Sequence, residues 1–341
     1  MNLAELNKVA TAMVAPGRGI LAADESSGTI KKRFDAIGVE SSADSRRDYR
    51  ELMFRANEAM TKYISGVILY DETIRQNAKD GTSLVKVIEK AGSLPGIKVD
   101  KGVQPLPMCP GEVITEGLDG LRQRLIEYRE LGAKFAKWRA VIDIGEDMPS
   151  YACIMTNAHA LARYAALCQE EGIVPIVEPE VLMDGDHDID RCQAVTEWTL
   201  KTVFEQLYDQ RVALEGMVLK PNMVIAGKKC SKQASVDEVA ERTVKVLKAR
   251  VPASVPGIAF LSGGQSDADA TAHLDAMNKI GDLPWKLTFS YGRALQAAPQ
   301  KAWSGKLENV AAAQRAFAHR AMMNGLASLG QWKQDLEKKA A

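Results

Sequence analysis

Long apolar runs are missing from this 341-residue sequence. No uninterrupted stretch approaches the roughly 18 residues that suggest a membrane-spanning helix. An excess of one charge is missing too. Lys plus Arg number 44 and Asp plus Glu number 44, for a formal net charge of zero. Nucleic acid or an acidic membrane surface would call for a basic excess or stripe, so neither is expected as a partner. Histidine is scarce: His159, His187, His273 and His319 are dispersed, with no HxH or HExxH spacing, and no metal site is expected. The five cysteines (Cys109, Cys153, Cys168, Cys192, Cys230) are scattered, odd in number and free of any CxxC pair. They suit reduced thiols in a cytoplasmic protein, mostly packing residues. The opening MNLAELNKVATAMVAPG has neither a basic n-region nor a long apolar h-region, so no secretory leader is expected.

Apolar residues make up 46% and charged residues 26%, the balance of a soluble globular protein able to bury a large core. Short runs rich in Val, Ile and Leu alternate with longer amphipathic segments. Strands are predicted at GILAAD (19–24), YISGVILY (63–70), GIKVD (96–100), AKFAKWRAVI (133–142), GIVPIVE (172–178), EGMVLK (215–220), GIAFLS (257–262) and KLTFSY (286–291). Helical spacing puts Leu121, Leu125 and Tyr128 on one face, with Gly132 near the C-terminal end. It puts Val236, Val239, Thr243 and Val246 on another. Each interval between strands has room for a crossover helix. Eight β-then-α units without a linker predict an α/β fold, a single (β/α)8 TIM barrel over 1–341 with an extra N-terminal helix and a helical C-terminal tail. An open doubly wound sheet is the alternative, although no Gly-rich dinucleotide fingerprint follows the first strand.

GMVLKPNM (216–223) poses the functional question. An apolar strand runs straight into Lys220, and Pro221, which cannot donate to a ladder, should end the pairing there. In a barrel, chemistry sits at the C-terminal ends of the strands. Those ends carry Asp24, Lys98, Lys137, Glu178, Lys220 and Ser262, with Ser290 and Arg293 near the last. Strand alternation puts Lys137 with Arg139, and Glu178 with Glu180. A structural ion-pair layer explains any one of these charges but explains the whole set less well, because buried ion pairs are a poor source of stability. If Lys137 lies about 4 Å from Lys220, mutual repulsion at an effective dielectric near 20 costs about 4 kcal/mol. That amounts to roughly 3 pK units, enough to leave a lysine partly neutral near pH 7. A neutral amine attacks carbonyls and forms Schiff bases. Three lysines stand at strand ends, so residue type alone leaves the nucleophile open.

LSGGQ brings Ser262, Gly263 and Gly264 to the end of the seventh strand, and FSYGR brings Ser290, Gly292 and Arg293 to the end of the eighth. These are the loops that often bind phosphate in barrels. Ser26, Thr29, Arg33 and Lys98 suit a second anion site, although Ser26 also suits a helix N-cap. DGDHDID (184–190) lacks the spacing and terminal Glu of a calcium loop, and is expected to be a solvated loop entering a helix.

LAADES, GIKVDKG, AKWR, PIVEPE, DGDHD, VLKPNM, FLSGGQS and FSYGRALQ occur in an order that resembles class I fructose-bisphosphate aldolase, over roughly Val14 to Gly330. The resemblance implies a cofactor-free lyase acting on a sugar bisphosphate in glycolysis and gluconeogenesis. It implies Lys220 as the Schiff-base lysine, Glu178 as general acid, Lys137 as the residue tuning proton transfer and Asp24 as the base for carbon–carbon cleavage. It further implies one phosphate near Ser262, Gly263, Gly292 and Arg293, and the other near Ser26, Thr29, Arg33 and Lys98. Glu180 matches a supporting acid and Arg139 a charge near the site. A homo-oligomer, as in the family's tetramers, is implied as well. The terminal tyrosine of animal members has no match in QWKQDLEKKAA, so its proton-donating part is not carried over. A different Schiff-base lyase on the same barrel, or a silent sugar-phosphate-binding scaffold, is the competing reading.

Overall fold

Among the residues that the computed structural model describes, 2–339, ten strands form. Met1, Ala340 and Ala341, which the predicted 1–341 domain includes, lie outside the described residues. The strands are β1 (Gly19–Ala23), β2 (Ile64–Leu69), β3 (Leu94–Lys98), β4 (Val103–Pro105), β5 (Val113–Thr115), β6 (Phe135–Ile142), β7 (Val174–Val181), β8 (Val218–Leu219), β9 (Gly257–Phe260) and β10 (Lys286–Tyr291). Eight close into a barrel in the order β1-β10-β9-β8-β7-β6-β3-β2. Every barrel pairing is parallel, and the pairing of β1 with β10 closes the sheet, which rules out the open alternative. β4 and β5 form an antiparallel hairpin outside the barrel. Three-residue strands are too short to show a period, so the sequence did not announce them.

All eight barrel strands overlap the predicted runs, with shifted bounds. β3 begins two residues early, at Leu94. β7 continues three residues beyond Glu178, through Pro179. The ladder tolerates this proline because of what its neighbour does. Val177 accepts from Lys220 N at 2.8 Å, so residues 177, 179 and 181 of β7 turn their backbones towards β8. The pairing with β8 stops there: β8 ends at Leu219, and Asn222 Oδ1 rather than a ladder carbonyl takes the next N–H, that of Val181. The first crossover holds three helices rather than one: Ser27–Asp35, Ala43–Phe54 and Asn57–Lys62.

Leu121, Leu125 and Tyr128 are buried on their helix as expected, whereas Val236 is exposed. Val236 opens its helix directly after the Ser235 cap, before the packed face begins with Val239. The N-terminal helix Leu3–Met13 buries Leu6, Ala10 and Met13, spaced to share one face. They join Ile20, Ile68, Phe135, Val174, Ile176, Val218 and Ala259 in an apolar plug inside the barrel. Gly96 is required there: a Cβ on it would come within 2.2 Å of the Phe135 ring. At the other end, the helix Val310–Ala327 is followed by a 3-10 turn, Gln334–Lys339.

Candidate active site

The inward positions of the strands change character as the chain rises from the plug. On β6, Phe135 is followed two residues later by Lys137 and then Arg139. On β7, Val174 and Ile176 are followed by Glu178 and Glu180. On β8, Val218 is followed by Lys220. Because side chains alternate, each charge stands above an apolar residue of its own strand. Trp138, on the opposite face of β6, instead stacks on Tyr164 with ring centroids 5.6 Å apart.

A cavity of about 440 Å³ opens over these charges. Its walls include fifteen of the sixteen predicted site residues: Asp24, Ser26, Thr29, Arg33, Lys98, Lys137, Arg139, Glu178, Glu180, Lys220, Ser262, Gly263, Ser290, Gly292 and Arg293. Gly264 is the exception. It takes a left-handed φ of 78°, and a Cβ on it would meet Met183 Cγ at 2.3 Å. Gly264 therefore supplies the turn and the close approach to Met183, while Gly263 faces the cavity. Glu25 and Asp100 also line the cavity but were not singled out from the sequence. Asp100 follows Lys98 at the same-face spacing, a usable signal. Glu25 leaves the end of β1 and obeys no period.

Four buried charges form an alternating chain across the cavity floor. Lys220 Nζ lies 3.1 Å from Glu178 Oε1, Glu178 Oε2 lies 3.2 Å from Lys137 Nζ, and Lys137 Nζ lies 2.8 Å from Asp24 Oδ2. Glu178 thus touches both ammonium groups, a neutralising partner that the expected repulsion between Lys137 and Lys220 left out. Burial alone would lower the Lys137 pKa, but Asp24 and then Glu178 outweigh it and hold the group above its ordinary value. Burial would likewise raise the Asp24 carboxyl, yet Lys137 and then Lys220 hold it well below the usual carboxylate range. Lys137 is a fixed cation and Asp24 a fixed anion at neutral pH.

The backbone keeps Lys220 in place without a long strand. Its N–H donates to Val177, and the carbonyl of Pro221 accepts from Leu261 N at 3.1 Å. Asn222 then replaces the ladder with its side chain, accepting from Val181 N at 3.0 Å and donating to Thr196 Oγ1 at 3.1 Å. That answers why an apolar strand ends in KPN: the segment stays buried while its polar groups find partners.

At the rim, each predicted anion-binding cation already has an acidic neighbour. Arg33 pairs with Glu25, Lys98 lies 3.3 Å from Asp100, and Arg293 lies 3.6 Å from Asp267. Arg139 pairs with Glu180. Ser26 caps its helix by position but makes no side-chain cap bond; its hydroxyl is 3.2 Å from that of Thr29. Ser290 lines the cavity, and its Oγ is buried with no hydrogen-bond partner among the described residues. DGDHDID is a loop entering the helix Ile189–Asp209, which Asp188 caps, as expected.

The family profile described as "Fructose-bisphosphate aldolase class-I" matches residues 5–341. The chain belongs to the class I fructose-bisphosphate aldolase family. A "Probable fructose-bisphosphate aldolase class 1" of Xanthomonas campestris pv. campestris is 60% identical over 334 residues, covering 98% of this chain and 100% of that one. "Fructose-bisphosphate aldolase C" of Carassius auratus is 53% identical, over 96% of this chain and 91% of its own. Among solved structures, the fructose-bisphosphate aldolase from Plasmodium falciparum, in complex with TRAP and a small-molecule inhibitor, superposes with a TM-score of 0.94. It is 46% identical, and the match covers 97% and 96% of the two chains. The activity is accordingly that of a fructose-bisphosphate aldolase, an aldehyde-lyase of glycolysis. The silent scaffold and the other Schiff-base lyases give way to it. Among the described residues no helix is long and apolar enough to cross a membrane.

Proposed function

We propose that Lys220 attacks the ketone carbon of open-chain fructose 1,6-bisphosphate and that the buried charge chain handles the protons. The observation supporting this is the sequence Lys220–Glu178–Lys137–Asp24 at 3.1, 3.2 and 2.8 Å. Glu178 takes a proton from the Lys220 side and returns it to the carbinolamine hydroxyl, which leaves as water and gives the iminium. Asp24 accepts the proton of the substrate's C4 hydroxyl as the C3–C4 bond breaks. The bond pair passes to the iminium, forming an enamine of dihydroxyacetone phosphate, and glyceraldehyde 3-phosphate departs. Reprotonation and hydrolysis free the ketone product and restore the amine. Lys137, held as a cation, keeps Asp24 ionised to act as base.

One phosphate is assigned to Ser262, Gly263, Ser290, Gly292 and Arg293, with Gly264 shaping the turn. The other is assigned to Ser26, Thr29, Arg33 and Lys98, with Arg139 and Glu180 beside the sugar. The iminium is the electron sink, so this reading needs no metal. Incubation with dihydroxyacetone phosphate and borohydride, in the presence of EDTA, should add one ligand per chain at Lys220. Peptide mass mapping that puts the label on Lys98 or Lys137 would overturn the assignment. Turnover lost in EDTA and restored by zinc would overturn metal independence.

Five cysteines without a disulfide suit a reducing compartment, and we place the enzyme in the cytoplasm, to be checked by fractionation. Met108, Tyr208 and Leu307 expose large apolar side chains, which suit the contacts of a homotetramer. A sedimentation mass of one chain would remove that assembly.

A further inference from the structure

We propose that Glu337 is a positioning residue for Arg293. By occupying Arg320, it leaves the Asp267 carboxylate to hold Arg293 at the cavity rim. The proposal rests on the phosphate role given to Arg293 above.

The four groups form an alternating series that runs from the chain's last described turn to the cavity. Arg320, on the helix Val310–Ala327, is buried, and its NH1 pairs with Glu337 Oε2. Its NH2 donates to the backbone oxygen of Asp267 at 3.1 Å and to Thr271 Oγ1 at 2.7 Å, at the start of the helix Asp267–Ile280. The Asp267 side chain faces the next cation in line, with Oδ1 3.6 Å from Arg293 NH1. Arg293 NH2 also donates to the carbonyl of Gln265. Arg320 thus holds the backbone of the same residue whose carboxylate faces Arg293, and both cations stand at Asp267.

Glu337 decides which of them uses it. Its second oxygen accepts from Trp332 Nε1 at 3.1 Å, and Trp332 N donates to Asp275 Oδ1 at 2.8 Å, fastening the segment to the same helix. Without the Glu337 charge, a buried guanidinium would be left without its ion-pair partner, and Asp267, whose backbone oxygen it already holds, carries the carboxylate it would turn to. Arg293 would then lose one of its two anchors. About half of the Arg293 side chain is exposed, so it would regain rotamer freedom that phosphate binding must remove again.

The test is a kinetic cycle on the full chain with fructose 1,6-bisphosphate. Glu337→Gln should raise KM about threefold to tenfold, the range expected for re-ordering one long side chain, with kcat within about a factor of two. Asp267→Asn cuts the series one step nearer the cavity and keeps the Glu337–Arg320 pair. It should raise KM similarly and decides the matter if Glu337→Gln does not fold. In an Arg293→Ala background, Glu337→Gln should add no further rise, because the residue it acts through is gone. A KM left unchanged by either single variant, in its folded form, would overturn the proposal. So would an equal rise in the Arg293→Ala background, the result of a merely structural role. If Arg293→Ala alone leaves KM unchanged, the phosphate assignment falls first and the positioning role with it.

Discussion

The two ends of the barrel interior are built from the same strands by the same alternation, yet they solve opposite problems. The lower end is buried and apolar: Phe135, Ile176 and Val218 share one cluster with Leu6, Ala10 and Met13 of the N-terminal helix. One or two steps along β6, β7 and β8, Lys137, Glu178 and Lys220 form a buried charge chain. Dispersion and burial hold the plug, whose parts are replaceable by others of similar shape. The charge chain costs desolvation that a plain hydrophobic layer would avoid. Its retention fits a chemical use, and the two ends should fail differently when altered.

The largest effect is expected at the mouth. Glu178→Gln keeps the shape but removes the carboxylate between the lysines, so proton transfer to and from the Lys220 adduct loses its carrier. We expect kcat to fall about 10²–10⁴-fold, the usual contribution of a positioned acid–base group. Steady-state kinetics and borohydride trapping would check this. A fall of less than threefold would take Glu178 out of the proton path.

At the plug the loss should be of stability rather than rate. Phe135→Ala empties a site bounded by the bare backbone of Gly66 and Gly96, which has no side chain to collapse inwards. Denaturant unfolding should show a loss of about 3–5 kcal/mol, with kcat nearly unchanged in the folded protein. A variant of parent stability but impaired turnover would erase the distinction between the two ends.

How much of this was legible in the sequence follows from the same contrast. The charges at 137, 139, 178, 180 and 220 were legible because alternation carries an inward face from apolar residues to ionic ones. The closure of the sheet was expected from the count of eight β-then-α units rather than from any strand's pattern, and the pairing of β1 with β10, more than 260 positions apart, bears it out. Glu178's place between Lys137 and Lys220 was not legible, since it depends on the stagger of three strands: Arg139, not Lys137, is the register partner of Glu178. Gly263 and Gly264 look alike in sequence, and only their backbones show that one faces the cavity and the other Met183. Glu25 was hidden because it stands in a loop, where no period applies.

A pH experiment sharpens the comparison further. In the parent, Asp24 has its pKa depressed. Its contribution to stability is present above the unfolded value of about 3.9 and is lost only as pH falls through the lower folded value. Lys137→Met removes the strongest of the opposing charges, while Lys220 and Lys98 still hold the carboxyl down, so its folded pKa should rise towards the unfolded value. The acid loss of stability should then be smaller than the parent's and complete at a higher pH. The acid limb of its kcat should move to higher pH as Asp24 is protonated more readily. An acid limb identical to the parent's would separate Asp24 from Lys137.

The smallest effect on chemistry should come from a segment that belongs to neither end. Removing residues 331–341 deletes Trp332 and Glu337 but no group of the buried charge chain. If Asp24, Lys137, Glu178 and Lys220 carry the proton transfers, kcat should stay within about a factor of three of the parent's. The losses should appear elsewhere. Arg320 loses its ion-pair partner and Asp275 its bond from Trp332 N, so the thermal midpoint should fall by roughly 2–5 °C, as for one or two lost interactions in a chain of this size. KM should rise as it does for Glu337→Gln, because Arg320 is again free to take Asp267 from Arg293. A hundredfold fall in kcat, with near-UV and far-UV spectra like the parent's, would mean that the segment supplies a group to the reaction itself.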